Sequence, residues 1–329
     1  MKKIFISFVI CILLVVMGWY LNQLYNSIGE SDSQVINVIK PRPLDKYTIE
    51  NLSKTKYEAT PIERMEVINE YPKFTSYKIF INIDEKKVSG LINIPKAKGQ
   101  FPIIVMFRGY VDVNQYQTGT GTQHSGEVFA NNGYITIAPD FLGYADSDRE
   151  SENVFEARFQ TYTTALAILS SVKTIPEWDG ENIFIWGHSN GGQIALTILE
   201  ITGQAYPTVL WAPVSKPFPY SVLYYTDEAD DKGKFLRAEL ANFEDTYDTD
   251  LYSIHTYLDK ITAPILLQQG TLDDAVPVSW SDWLNDTLKK QEKDITYITY
   301  PGADHNMTPS WNNVVVRDLQ FYRNHIKMN

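Results

Sequence analysis

Short, wholly apolar runs recur along the chain at Ile103 to Phe107, Tyr134 to Ala138, Ile183 to Trp186, Thr208 to Ala212, Ile265 to Leu267 and Ile295 to Tyr300. Runs of this length without alternation predict parallel strands covered on both faces. Ahead of them, Tyr77 to Ile83 and Val88 to Ile94 flank the polar Asp84 to Lys87, the pattern of a β-hairpin. Between the strands, apolar residues fall three and four apart: Phe155, Phe159, Tyr162, Leu166 and Leu169; then Ile194, Ile198 and Ile201; and finally Trp311, Val314, Val315, Leu319, Tyr322 and Ile326. Such stripes predict helices packed on a sheet. An antiparallel start followed by alternating strands and helices implies an α/β fold with a mostly parallel, doubly wound sheet. Residues 214–258 break the rhythm with a long connection rich in Tyr, Asp and Glu, expected to be a short cap over the carboxyl ends of the strands. Within it Tyr224, Tyr225, Phe235 and Phe243 would line an apolar pocket. Its acids outnumber its bases, which reads either as a field favouring neutral or cationic substrates or as a solvated outer face.

The N-terminus has a different texture. Lys2 and Lys3 precede Ile4 to Leu21, an 18-residue stretch without a charge. As a helix it would span about 27 Å, close to a hydrocarbon core of about 30 Å and longer than most signal-peptide cores. No Ala-x-Ala-like cleavage site follows, and Trp19, Tyr20 and Tyr25 have the character of interfacial aromatics. The expectation is a membrane helix acting as signal-anchor within residues 1–29, holding the remainder on the extracytoplasmic side, with secretion after cleavage as the alternative. Residues 30–75, polar and interrupted by Pro41, Pro43, Pro61 and Pro72, are expected to form a stalk and entry segment, leaving 76–329 as the main folded domain.

Composition removes several classes of function. The chain has 329 residues, 44% apolar and 21% charged, enough for one large α/β domain. With 29 basic and 40 acidic side chains its formal charge is -11, which disfavours binding to a phosphate backbone, so no nucleic-acid partner is expected. The one cysteine, Cys11, lies in the N-terminal apolar run, which leaves the domain without a disulfide, thiolate metal site or cysteine nucleophile. There is no HExxH pair, phosphate-binding glycine loop or dinucleotide fingerprint, so neither cofactor nor metal is implied.

Chemistry concentrates at Gly187-His188-Ser189-Asn190-Gly191-Gly192, which follows an apolar strand and opens a helix. A sharp strand-to-helix turn lifts a serine oxygen above the sheet, with the helix N-terminus beneath it. The plain alternative is a glycine-rich turn whose serine only caps the helix. A serine hydroxyl needs an imidazole to take its proton. Of five histidines, His188 adjoins the serine and is expected to pack away from it, His124 and His255 precede the expected acid, and His325 lies in the last helix. His305, on the loop after Ile295 to Tyr300, remains. The orienting acid should fall between Ser189 and His305, and Asp273 and Asp274 both follow a strand there. Backbone amides of Asn190 and of Tyr110, in the turn Arg108-Gly109-Tyr110 after Ile103 to Phe107, are the candidate oxyanion donors.

These motifs, together with Ala138-Pro139-Asp140-Phe141-Leu142-Gly143-Tyr144, give residues 76–329 a texture that resembles the α/β-hydrolases, and among them the catalytic domain of the prolyl oligopeptidase family. In that family the acid is the third residue after the glycine corresponding to Gly270, so the resemblance selects Asp273. Relatives often carry His-Gly where this chain has Arg108-Gly109. The resemblance implies a serine hydrolase acting on a small ester or peptide substrate through an acyl-enzyme, with Ser189, Asp273 and His305 as its triad. The alternative is a non-catalytic hydrolase-fold binding protein at the membrane surface.

Overall fold

The computed structural model describes residues 16–24 and 41–327. It divides into two units, Met1–Pro41 and Arg42–Asn329. In the first, residues 16–24 are helical. This corrects the expected membrane anchor and the extracytoplasmic placement built on it: among the described residues no helix is long and apolar enough to cross a membrane. The remainder of the expected span, residues 4–15, lies outside the described residues.

In the second unit, residues 42–75, expected as stalk and lead-in, carry a 3-10 turn at Pro43–Tyr47, helix α1 at Ile49–Lys54 and strand β1 at Glu63–Glu70. Thr48 caps α1 by accepting from the Asn51 amide, and Leu44, Tyr47, Ile49 and Leu52 are buried. Four anchors spread over nine residues have no strong period, which is why the segment reads as irregular in the sequence.

The sheet has nine strands in the order β1-β2-β3-β5-β4-β6-β7-β8-β9. The expected hairpin is β2 (Phe74–Ile83) and β3 (Lys86–Pro95), and its far edge takes β1. β3 pairs antiparallel with β5 (Ile135–Pro139), after which β4 (Phe101–Phe107), β6 (Trp178–His188), β7 (Thr208–Trp211), β8 (Ile265–Gly270) and β9 (Ile295–Tyr300) continue in parallel. Because these strands share one direction, the turns after β4, β6, β8 and β9 emerge on one edge, where ligands bind in open α/β sheets.

Helices cover both faces. α2 is Gln123–Asn131, and α3, Val154–Ser171, is capped by Asn153 and buries Phe155, Phe159, Tyr162, Leu166 and Leu169, as the period requires. α4, Asn190–Thr202, buries Ile194, Ile198 and Ile201 and ends at Gly203, whose φ of 59° is a left-handed cap that glycine takes without strain. The connection 214–258 packs in part into the core. Its helix α5, Lys234–Glu244, sends Phe243 into the core, with ring centroids 5.0 Å from Phe155 and 5.5 Å from Phe218. Phe235 is 59% exposed, so these aromatics do not form one pocket. The acids Asp227, Glu228, Asp230 and Asp231 are exposed, which fits a solvated face. α6 (Val278–Lys290) and α7 (Trp311–Asn324) complete the unit, and α7 buries Val314, Val315, Leu319 and Tyr322.

Candidate active site

Ser189 joins β6 to α4 with φ 56° and ψ -120°, a backbone conformation that costs energy for any residue with a side chain. The surroundings hold it there. The Ser189 amide donates to Trp211 O at 2.9 Å, and its carbonyl accepts from Val214 N at 3.0 Å. The turn is so tight that a Cβ on Gly191 would lie 1.9 Å from Phe107 O, and one on Gly187 would lie 2.6 Å from Gly191 O. Both glycines are therefore required by close approach. The side chain is 9% exposed, at the start of a helix whose N-terminal dipole favours developing negative charge.

The two other members expected from the sequence meet directly. His305 Nδ1 lies 2.9 Å from Asp273 Oδ2. Asp273 Oδ1 accepts from the amides of Ala275 (2.9 Å) and Val276 (2.8 Å), and Oδ2 also accepts from Gln269 Nε2 at 2.8 Å. Burial pushes this carboxyl upward, but the bonds from His305, the Val276 amide and Gln269 outweigh it and hold the group below its ordinary value. An ionised Asp273 accepts from Nδ1–H, which leaves Nε2 of a neutral His305 free to take a proton. Asp274, the neighbour not selected, is exposed. Gln269, absent from the sequence reading, is itself fixed by Ser281, whose hydroxyl donates to its Oε1 at 2.7 Å.

Ser189 Oγ makes no hydrogen bond among the described residues; catalytic bonds of this kind tighten when substrate binds. His188 links the two loops instead. Its Nε2 is 3.0 Å from the main-chain oxygen of His305, and the rings are 4.6 Å apart. Burial and the nearby His305 lower the His188 pKa to about 4. A neutral ring facing a carbonyl must carry its proton on Nε2, so His188 donates to the His305 loop. It does not simply pack away, as the sequence had implied. The loop is further shaped by Asp304, whose Oδ1 accepts from the amides of Asn306 and Thr308.

The turn after β4 reaches the serine. A Cβ on Gly109 would stand 3.0 Å from Ser189 Cβ, so the Gly109 backbone lies against the side chain. Tyr110 follows with its ring 79% exposed, and Asn190 opens α4. Beside His188 a cavity of about 710 Å³ is walled by Trp186, Trp211, Trp311 and His124, with Asn306 and Thr308 of the His305 loop at its side. Among the described residues no three His, Cys, Asp or Glu side chains gather as a metal centre.

A nucleophile elbow at a central strand, with an acid and a histidine on later strand ends, defines an α/β-hydrolase arrangement of the serine hydrolase type. The prolyl oligopeptidase family model matches residues 121–329, more than half of the chain, and the chain belongs to that family. An uncharacterized peptidase, YtmA, of Bacillus subtilis (strain 168) is 28% identical over 238 residues, covering 71% of this chain and 87% of that protein. The acetyl esterase Axe7A of Xylanibacter ruminicola is 21% identical over 269 residues, 73% of this chain and 58% of the esterase. Among solved structures, acetyl xylan esterase 1 from Thermoanaerobacterium sp. JW/SL YS485 superposes with a TM-score of 0.63 at 16% identity, covering 86% of this chain and 93% of that one. Likeness at that identity shows the shared fold.

Proposed function

We propose that this serine hydrolase cleaves a short-acyl ester, with amides as the second substrate class, using Ser189 as nucleophile, His305 as general base and acid, and Asp273 as the group that orients His305. Ser189 Oγ bonds to the substrate carbonyl carbon as its proton passes to His305 Nε2. The tetrahedral oxyanion sits against the amides of Asn190 and Tyr110. Collapse breaks the bond to the leaving group, which takes the proton from His305. Water then repeats the sequence on the acyl-enzyme and releases the acid.

The observation that carries this reading is the Asp273–His305 hydrogen bond beside a serine held at a positive φ. The ester is placed first because an acetyl esterase and an acetyl xylan esterase are among the similar proteins. The test is to label the full-length chain with a fluorophosphonate and then compare kcat/KM for an acetylated sugar, a long-chain acyl ester and a proline-containing peptide amide. Labelling of the wild type but not of Ser189→Ala, with the acetylated sugar fastest, is the expected result. Absence of labelling overturns the catalytic reading, and preference for the peptide amide overturns the choice of substrate.

A further inference from the structure

A main-chain oxyanion donor works only if its peptide plane faces the right way, and a turn containing glycine does not fix that plane by itself. We propose that Arg108 locks the Gly109–Tyr110 peptide so that the Tyr110 N–H is presented toward Ser189, which makes Arg108 a positioning residue for the acyl transfer. The inference rests on the reading of Ser189 as nucleophile and of Tyr110 as an oxyanion donor.

The C=O of Gly109 and the N–H of Tyr110 belong to one peptide unit, and in a trans peptide they point in opposite directions. Whatever holds the carbonyl on one side therefore aims the amide to the other. Arg108 Nη1 donates to Gly109 O at 2.9 Å, and Nη2 donates to Asp140 O, just past the end of β5, at 3.1 Å. A planar guanidinium bridging two carbonyls resists rotation in a way that a single donor does not.

The guanidinium is itself clamped. The residue is 6% exposed, and its Cζ lies 4.0 Å from the ring centroid of Tyr144 and 4.4 Å from that of Tyr116. The Tyr144 hydroxyl donates to Val111 O at 3.2 Å and pins the far end of the same turn. The Tyr116 hydroxyl donates to Asp140 Oδ1 at 2.7 Å, and Ser89 and Thr118 hold Oδ2 at 2.6 and 2.9 Å. Among the described residues no carboxylate forms a salt bridge with Arg108. A buried cation is costly, and this one directs its donors at two main-chain carbonyls, one of them in the peptide that abuts Ser189. Its charge on Gly109 O also polarises the peptide and strengthens the Tyr110 N–H as a donor.

The test uses the full-length chain with Arg108→Met, Arg108→Lys and Arg108→Ala. Loss of one oxyanion donor costs about 10²–10³ in turnover, which sets the ceiling for a peptide that is free to flip. Arg108→Met should lower kcat toward that range with KM and thermal midpoint nearly unchanged, and Arg108→Lys should fall between it and wild type. Ethylguanidinium added to Arg108→Ala should restore part of kcat. Affinity for a trifluoromethyl ketone, whose carbonyl carbon bonds to Ser189 Oγ while the proton passes to His305, should weaken in step with kcat, because that adduct carries the oxyanion. Wild-type kcat in a folded Arg108→Met overturns the inference. So does a parallel collapse of kcat, KM and thermal midpoint without guanidinium rescue, the mark of a purely structural role. Fluorophosphonate labelling of the wild type separates the layers: if it labels and Arg108→Met turns over normally, only this inference fails, whereas no labelling removes the serine-hydrolase reading and this inference with it.

Discussion

The loop after β8 and the last turn of α4 each enclose a carboxylate, under opposite arrangements. The Asp273 side chain is fully enclosed, yet it accepts from two loop amides, Gln269 and His305, and is held below its ordinary pKa. Glu200 is 1% exposed and, among the described residues, neither of its oxygens has a hydrogen-bond partner; burial pushes it well above its ordinary value, with Lys260 opposing and Asp259 adding to the shift. The difference follows from local backbone. Beyond the first turn of a helix every amide is already committed to the carbonyl four residues back, and the last turn leaves only carbonyls free, so a carboxylate there finds no main-chain donor. A strand-end loop has amides to spare. Burial thus raises the pKa of one acid while the other is held below its ordinary value, and hydrogen-bond supply decides which.

The largest effects should come from breaking the charged side of this comparison. Ser189→Ala and His305→Ala are each expected to cut turnover by about 10⁶ while the fold persists. Circular dichroism alongside acetyl-ester kinetics checks this, and a folded His305→Ala with near-wild-type turnover would remove His305 from its role. Next comes Asp273→Asn, which keeps the shape but offers His305 the wrong partner, at a cost of about 10⁴ in kcat. Asp274→Asn, exposed and one residue away, should change little. The opposite ranking in purified variants would shift the acid by one position.

How far the sequence foretold these results depends on whether a feature is local. Apolar runs and three-four spacing located the hairpin, all six parallel strands and the buried stripe of α3, because the inner strands are covered on both faces; β9, at the sheet edge with Thr296 and Thr299 exposed, showed only through its apolar majority. The elbow was readable because Gly187 is demanded by contact with Gly191 within the motif itself, while Gly191 is demanded by the end of β4, at Phe107 O. What stayed hidden depends on partners far away in the chain. Arg108 was visible only as a departure from His-Gly, since Tyr116, Asp140 and Tyr144 give it meaning only after β4 and β5 are paired. Gln269 and the donation from His188 to the His305 loop were hidden for the same reason. Phe243 misled, because an aromatic in a long connection serves equally as pocket wall or as core.

A smaller effect should follow from loosening the His305 loop without touching the triad. His188→Ala removes one hydrogen bond to the His305 carbonyl, typically about 1 kcal/mol, which is roughly fivefold in rate if all of it is expressed in positioning. Its pKa is lowered to about 4, so the neutral donor is favoured above the unfolded value near 6.5, and the stability it contributes fades as pH falls from there through about 4. A loss as deep as that of His305→Ala would give His188 a chemical role.

The smallest effect on activity, and the sharpest test of the comparison, comes from Glu200. A carboxyl whose folded pKa is raised favours the native state most fully below its unfolded value, near 4.5, and that contribution is lost as pH rises through the folded pKa. Over that interval each pH unit removes up to about 1.4 kcal/mol of stability. Glu200→Met fills a similar volume without the ionisable group or its two unpartnered oxygens. The variant should therefore be the more stable protein, with turnover unchanged, and its advantage in thermal midpoint should widen as pH rises above the unfolded value near 4.5. Asp273→Asn should trend the other way, because wild-type stability from a depressed carboxyl is present above its unfolded pKa and is lost only as pH falls through the folded value. Thermal melts of wild type, Glu200→Met and Asp273→Asn, begun below the unfolded Asp273 value near 3.8 and carried upward through neutral pH, would decide the matter. A constant gap between wild type and Glu200→Met would mean that Glu200 does not titrate against folding, and that scarcity of main-chain donors does not govern which buried acid keeps its charge.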